Sequence, residues 1–115
     1  MITETRKRLH DVLLAAEAIA RFTAGKSVEE FKTDEVLQAA LERKLAIIGE
    51  ALVRVREVDA ALAESFPDLA KIVGMRNKLI HGYDRLDLDI VWDASVTHVP
   101  KLLSQVLGTL DREPA

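Results

Sequence analysis

The sequence predicts an all-α protein, an antiparallel four-helix bundle with room for one extra short helix, and three observations carry that expectation. Four long stretches repeat apolar residues at the three-and-four spacing of a helix face. Strand-like alternation of apolar and polar residues is missing from all of them. Only five glycines and three prolines punctuate 115 residues, so long helices are rarely interrupted. A chain of this length falls in the usual range of one domain, and residues 1–115 are read as a single unit.

The first helix is expected over residues 3–24, with Leu9, Val12/Leu13, Ala16, Ile19/Ala20 and Thr23 on one face and Gly25 as its stop. Ser27 followed by Glu30 has the form of a capping box, which would start a short turn. Thr33 or Asp34 then caps the second long helix. Its stripe of Leu37, Leu41, Leu45, Ile48, Leu52 and Val55, widened by Ala40, Ile47 and Ala51, is broad enough to bury more than one side. Ser65-Phe66-Pro67 breaks the chain, and Pro67 is placed to open a third helix because its missing N–H would be unpaired there. That helix is expected from about Asp68 to the neighbourhood of Gly82. Asp84 to Asp87 form a polar turn in which Asp87 or its neighbours can cap. The fourth stripe is Leu88, Val91/Trp92, Val96, Val99, Leu103, Val106 and Leu110, with a kink expected at Pro100.

Composition removes several functions. The chain has no cysteine, hence no disulfide, no thiolate nucleophile and no cysteine-ligated zinc. A formal net charge of −3 argues against general polyanion binding, which needs a cationic field, though a local basic patch remains open. The N-terminal stretch carries charges through its first turns and shows no apolar core ending in a cleavage site. No run approaches the length of a membrane span. A soluble, cytoplasmic protein is the expectation. Gly25-Lys26-Ser27 resembles the end of a phosphate-binding loop, but the pattern needs glycine where Ala20 stands and a strand before it. His10, His81 and His98 lack ligand-like spacing, so neither metal nor cofactor is expected, and His10 and His98 are read as surface or bundle-edge residues.

The chemistry is concentrated in RNKLIHGY, residues 76–83, which holds Arg76, Asn77, His81 and the single tyrosine, Tyr83. On a continuous helix Leu69, Ile72, Val73, Leu79 and Ile80 form the buried stripe, and Arg76 projects from the middle of it. A guanidinium there needs an acceptor. Either it pairs with a carboxylate such as Glu50 or Asp68 and holds the bundle together, or the face opens onto a cleft that an anion can enter. His81 lies about 140° around a straight helix from Arg76. Gly82 could end the helix and swing His81 and Tyr83 back, or a two-fold dimer could bring two copies of the stretch together. Histidine can take a proton from a ribose 2′-hydroxyl while arginine holds the phosphate and the charge that builds on it. Such a pair cleaves RNA without a metal and leaves a cyclic phosphate, with Asn77 orienting the phosphate or bracing the histidine. Lys71, Lys78 and Arg85 could attract RNA locally, Arg54 and Arg56 could extend that patch, and Glu50 is a candidate partner for Arg76 or Arg43.

The stretch GMRNKLIHGYDRLDLDIVW, residues 74–92, resembles the signature of HepT toxins in the HEPN superfamily of small helical ribonucleases. Their motif is an arginine, a polar residue, three to five further residues, a histidine, one residue and a tyrosine, matched here by Arg76, Asn77, residues 78–80, His81, Gly82 and Tyr83. KLAIIGEAL at 44–52, the proline before the third helix and LDLDIVW after the motif are similar too. The resemblance implies a HEPN-type bundle that dimerises with arginine and histidine in a shared cleft, and an endoribonuclease toxin with catalytic Arg76, His81 and Asn77. It also implies a partner, an MntA-like nucleotidyltransferase antitoxin that transfers AMP onto the motif tyrosine, here Tyr83. Added phosphate and base would repel RNA and fill the cleft. The competing expectation is a non-catalytic HEPN dimer that binds a nucleotide or a nucleotidyltransferase partner.

Overall fold

The computed structural model describes residues 1–80 and 87–112, with the backbone alone described at Ile80. Among the described residues seven α-helices run as α1 (Thr3–Thr23), α2 (Val28–Lys32), α3 (Glu35–Val58), α4 (Ala60–Glu64), α5 (Leu69–Ile80), α6 (Leu88–Asp93) and α7 (Val99–Arg112), with a π-helical turn over Ala94–His98 joining α6 to α7. Four long arms, α1, α3, α5 and the α6–π–α7 arm, make the expected bundle. Two short helices join it rather than one. The second, α4, is set by Asp59, whose carboxylate accepts from the Leu62 N–H at 3.1 Å.

The chain turns where its cap residues dictate. Thr23 Oγ1 donates to the Ile19 carbonyl at 2.8 Å near the end of α1, and Gly25 takes the left-handed φ of 71° that an L side chain resists. Ser27 and Glu30 form the expected capping box, with Ser27 Oγ accepting from the Glu30 N–H and Glu30 Oε1 from the Ser27 N–H. Asp34 caps α3 through the Leu37 N–H at 3.0 Å, and Asp87 caps α6 through the Asp89 N–H at 2.9 Å. Pro67 does not open the third helix. It stands two residues before α5, in a turn where the Phe66 carbonyl accepts from the Leu69 N–H and the Asp68 carbonyl from the Ile72 N–H.

α3 is the central element, packed between α1 and α5, while α7 closes on α1. Leu9, Val12 and Ile19 of α1 meet Leu41, Leu45, Ile48 and Leu52 of α3 and Ile72 of α5 in a core where each is fully buried. Each such aliphatic side chain contributes about 1.5–3 kcal/mol relative to exposure. Phe31 of α2 is fully buried and lies against Trp92 with ring centroids 5.3 Å apart, which pins the α1–α3 connection to α6.

The disturbance expected at Pro100 lies just before it. Proline has no N–H for the Val96 carbonyl, and its ring crowds that carbonyl. The backbone answers by widening: the Val99 N–H bonds the Ala94 carbonyl five residues back, the π pattern. The wider turn shifts the buried face. Val96, assigned to the apolar stripe by periodicity, is 38% exposed, and Ser95 is buried instead, its hydroxyl donating to the Val91 carbonyl at 2.9 Å.

Candidate active site

α5 carries the described half of the motif. Its Leu69, Ile72 and Val73 face the core as expected, joined by Met75. Arg76 lies on the flank turned to α3, where Gly49 receives it. A methyl group on Gly49 would stand 2.2 Å from Arg76 Cβ and 2.7 Å from its Cγ, so the two helices approach closely only because position 49 has no side chain. Sequence reading assigned no role to this glycine. The signal was there, since a glycine between Ile48 and Leu52 on the inward side of a long helix marks a close backbone approach.

From that seat the guanidinium reaches outward. Nη2 donates to Glu50 Oε2 in a short ion pair, and Nη1 donates to Asn77 Oδ1 at 2.8 Å. Of the two partners left open at the sequence level, Glu50 is therefore the one used. The Arg76 side chain is 20% exposed and that of Glu50 46%, so the acid is at the surface rather than inside the bundle. Nε is buried without a partner among the described residues. An arginine offers five N–H donors, and these two bonds leave one on each terminal nitrogen for an incoming anion. Asn77, itself exposed, braces the arginine through its side-chain oxygen.

His81, Tyr83 and Arg85 lie outside the described residues. Lys71 and Lys78 are exposed on α5, on a different flank from Arg76. With Ala70, Gly74 and Met75 they form one wall of a cleft of about 520 Å³ whose other wall is Asp89, Ile90, Asp93, Ala94 and His98. Arg54 pairs with Glu57 at 3.2 Å, one turn along α3.

His98 departs from the bundle-edge reading. Its side chain is only 14% exposed, with Nδ1 2.6 Å from Asp68 Oδ1 and Nε2 3.3 Å from Asp93 Oδ2. Asp68 ends the turn before α5 and Asp93 ends α6, so the imidazole ties two arms together. With both ring nitrogens engaged, His98 is a strut between the two arms. Thirty residues separate it from Asp68, which is why no local spacing revealed the pair. The carboxylates meet opposite edges of the ring, and among the described residues no group of three or more His, Asp or Glu side chains is arranged to hold a metal ion. None of the described helices is long and apolar enough to cross a membrane.

The four long arms form an all-α bundle of the HEPN type. The sequence comparisons specify it further. The "Ribonuclease HepT-like" family matches residues 12–107, and the chain belongs to that family. It is 34% identical over 108 residues to "Putative RNase TTE0752" of Caldanaerobacter subterraneus subsp. tengcongensis, covering 94% of this chain and 96% of the relative. It is also 34% identical over 94 residues to "Probable ribonuclease HepT" of Thermococcus cleftensis, covering 82% and 84% of the two chains. "Putative RNase MJ1380" of Methanocaldococcus jannaschii is 34% identical over 100 residues, 85% of this chain and 89% of its own. No solved structure matches the chain.

Proposed function

We propose that this protein is a metal-independent endoribonuclease toxin. In this reading His81 takes the proton from the ribose 2′-hydroxyl, the 2′-oxygen attacks the adjacent phosphorus and the bond to the 5′-oxygen breaks, the 5′-oxygen leaving with a proton from water to which the imidazolium returns its own. The products are a 2′,3′-cyclic phosphate and a 5′-hydroxyl. Arg76 neutralises the charge that grows on the phosphoryl oxygens, and Asn77 holds Arg76 in place. A nucleotidyltransferase antitoxin of the MntA kind would silence the site by transferring AMP to Tyr83, a step that supplies phosphate charge where RNA phosphate must bind. A homodimer would combine two such clefts.

The observation that carries this reading is the seating of Arg76: its stem is fixed against Gly49, its head is held by Glu50 and Asn77 at the bundle surface, and it stands five residues before His81. The names of the relatives point the same way. One observation favours the rival, non-catalytic module, namely that Arg76 already has a carboxylate partner. The decisive assay incubates 5′-labelled RNA with purified protein and excess chelator. Cyclic-phosphate fragments are expected from the wild type, and a rate about 10²–10⁴-fold lower from His81→Ala, the range contributed by general acid–base groups. Equal cleavage by both, or none by either, removes His81 from the mechanism.

A further inference from the structure

We infer that the cleft between α5 and the α6–π arm is an RNA subsite, which takes one nucleotide remote from the scissile position with its base on the apolar floor and its phosphate on Lys71 and Lys78. This rests on the ribonuclease reading above. Three features of the cleft point to an anion with an apolar body.

The first is its charge. Lys71, Lys78, Asp89 and Asp93 all line it, which looks neutral on paper. But Asp89 is already paired with Lys32 at 2.9 Å. Neither lysine has an ion-pair partner among the described residues. Asp89 is answered by the Lys32 ammonium from another part of the fold, and the two lysines then outnumber the one other carboxylate of the lining, Asp93, which leaves an excess of positive charge in the cleft. A phosphodiester is its complement.

The second is its shape. About 520 Å³ lies within the usual range for small-ligand sites, and Met75, Ile90 and Ala94 form a floor on which a base loses water. Ile90 is exposed, although it faces a cavity that could cover it. Among the described residues no aromatic ring lines the cleft, and the apolar floor holds a base by contact.

The third is Gly74. A methyl group there would meet nothing within 4 Å, so no neighbour requires glycine at this position. Inside a helix glycine costs about 0.5–1 kcal/mol relative to alanine. The consequence of that cost is an open cleft wall between the two lysines. Gly74 and Arg76 are about 200° apart around the helix, so the subsite holds a part of the strand remote from the phosphate on Arg76.

The test uses the full chain and a fluorescein-labelled, fully 2′-O-methylated RNA that cannot be cleaved, with cleavage of unmodified RNA measured in parallel. Gly74→Leu fills the cleft without meeting a neighbour at its Cβ and should melt at or above the wild-type temperature. Its dissociation constant should rise at least tenfold. Lys71→Gln/Lys78→Gln should weaken binding and reduce the slope of log affinity against log salt by about 0.7 for each phosphate no longer neutralised. If wild type cleaves RNA while both variants bind as it does, the subsite is wrong and the ribonuclease reading stands. If wild type neither cleaves nor binds RNA, both fall. If Gly74→Leu leaves RNA affinity intact but changes the sedimenting mass, the cleft belongs to a second copy of the chain and the subsite is overturned.

Discussion

Gly49 of α3 lies against one flank of α5 and Gly74 of α5 sits on the other, and a methyl group would meet opposite surroundings at the two. At Gly49 it would collide with the stem of Arg76, whereas at Gly74 it would enter empty space. The first glycine makes a crowded seam that fixes where a cation points. The second leaves a gap. One flank of α5 is therefore built to hold a side chain still, and the other to remain accessible, and the two demands meet on twelve residues.

The sharpest way to break that contrast is to add the same methyl group at both positions. Gly49→Ala should destabilise the fold by about 1–3 kcal/mol through overpacking, less the gain in helix propensity. Gly74→Ala should stabilise it by about 0.5–1 kcal/mol. Urea denaturation of the two variants reads both signs. If both raise stability, α3 and α5 are not held as closely as the seam requires.

Glu50→Gln probes whether the seam depends on its charge. The pair is well exposed on the acid's side, so its loss should cost under about 1 kcal/mol. A loss of about 3–5 kcal/mol, the cost of breaking a buried pair, would make Arg76 a structural strut.

The smallest effect lies away from α5, where Lys32 of α2 meets Asp89 of α6. The hydrogen bond to Asp89, followed by that carboxylate's charge, raises the Lys32 pKa above its ordinary 10.5. A base whose pKa is raised on folding adds stability that is present below its unfolded value and lost as pH rises through the folded one. Stability should thus decline slightly above about pH 10.5. In Asp89→Asn that part of the decline should disappear from pH-dependent thermal melts.

What sequence showed and what it concealed divide along physical lines. The four arms were legible because each repeats its apolar residues at the helical period, and the caps at Ser27, Asp34 and Asp87 because their bonds close within two or three residues. The kink at Pro100 was legible as an event but not in its form. Periodicity counts every residue equally, and the π turn adds one that shifts Val96 outward. α4 went unread because five residues carry too little periodicity to register. At the site, Arg76 was found through its place in an otherwise apolar stripe, and Asn77 through the polar cluster of the motif. The His98 clamp was not, since its two carboxylates come from separate arms that only the folded chain brings together. His81 and Tyr83 were named from the motif and lie outside the described residues.

The claim on which the functional reading depends is that Arg76 is held for phosphate chemistry and not to keep the bundle together. Arg76→Gln keeps the side-chain carbons nearest Gly49 and removes the cation, so single-turnover RNA cleavage measured beside the unfolding free energy separates the two roles. The expected result is a rate lower by about 10²–10³, as when one charge-stabilising donor is removed, with stability within about 1 kcal/mol of wild type. An unchanged rate, or a loss no greater than the fraction of protein unfolded, would contradict it.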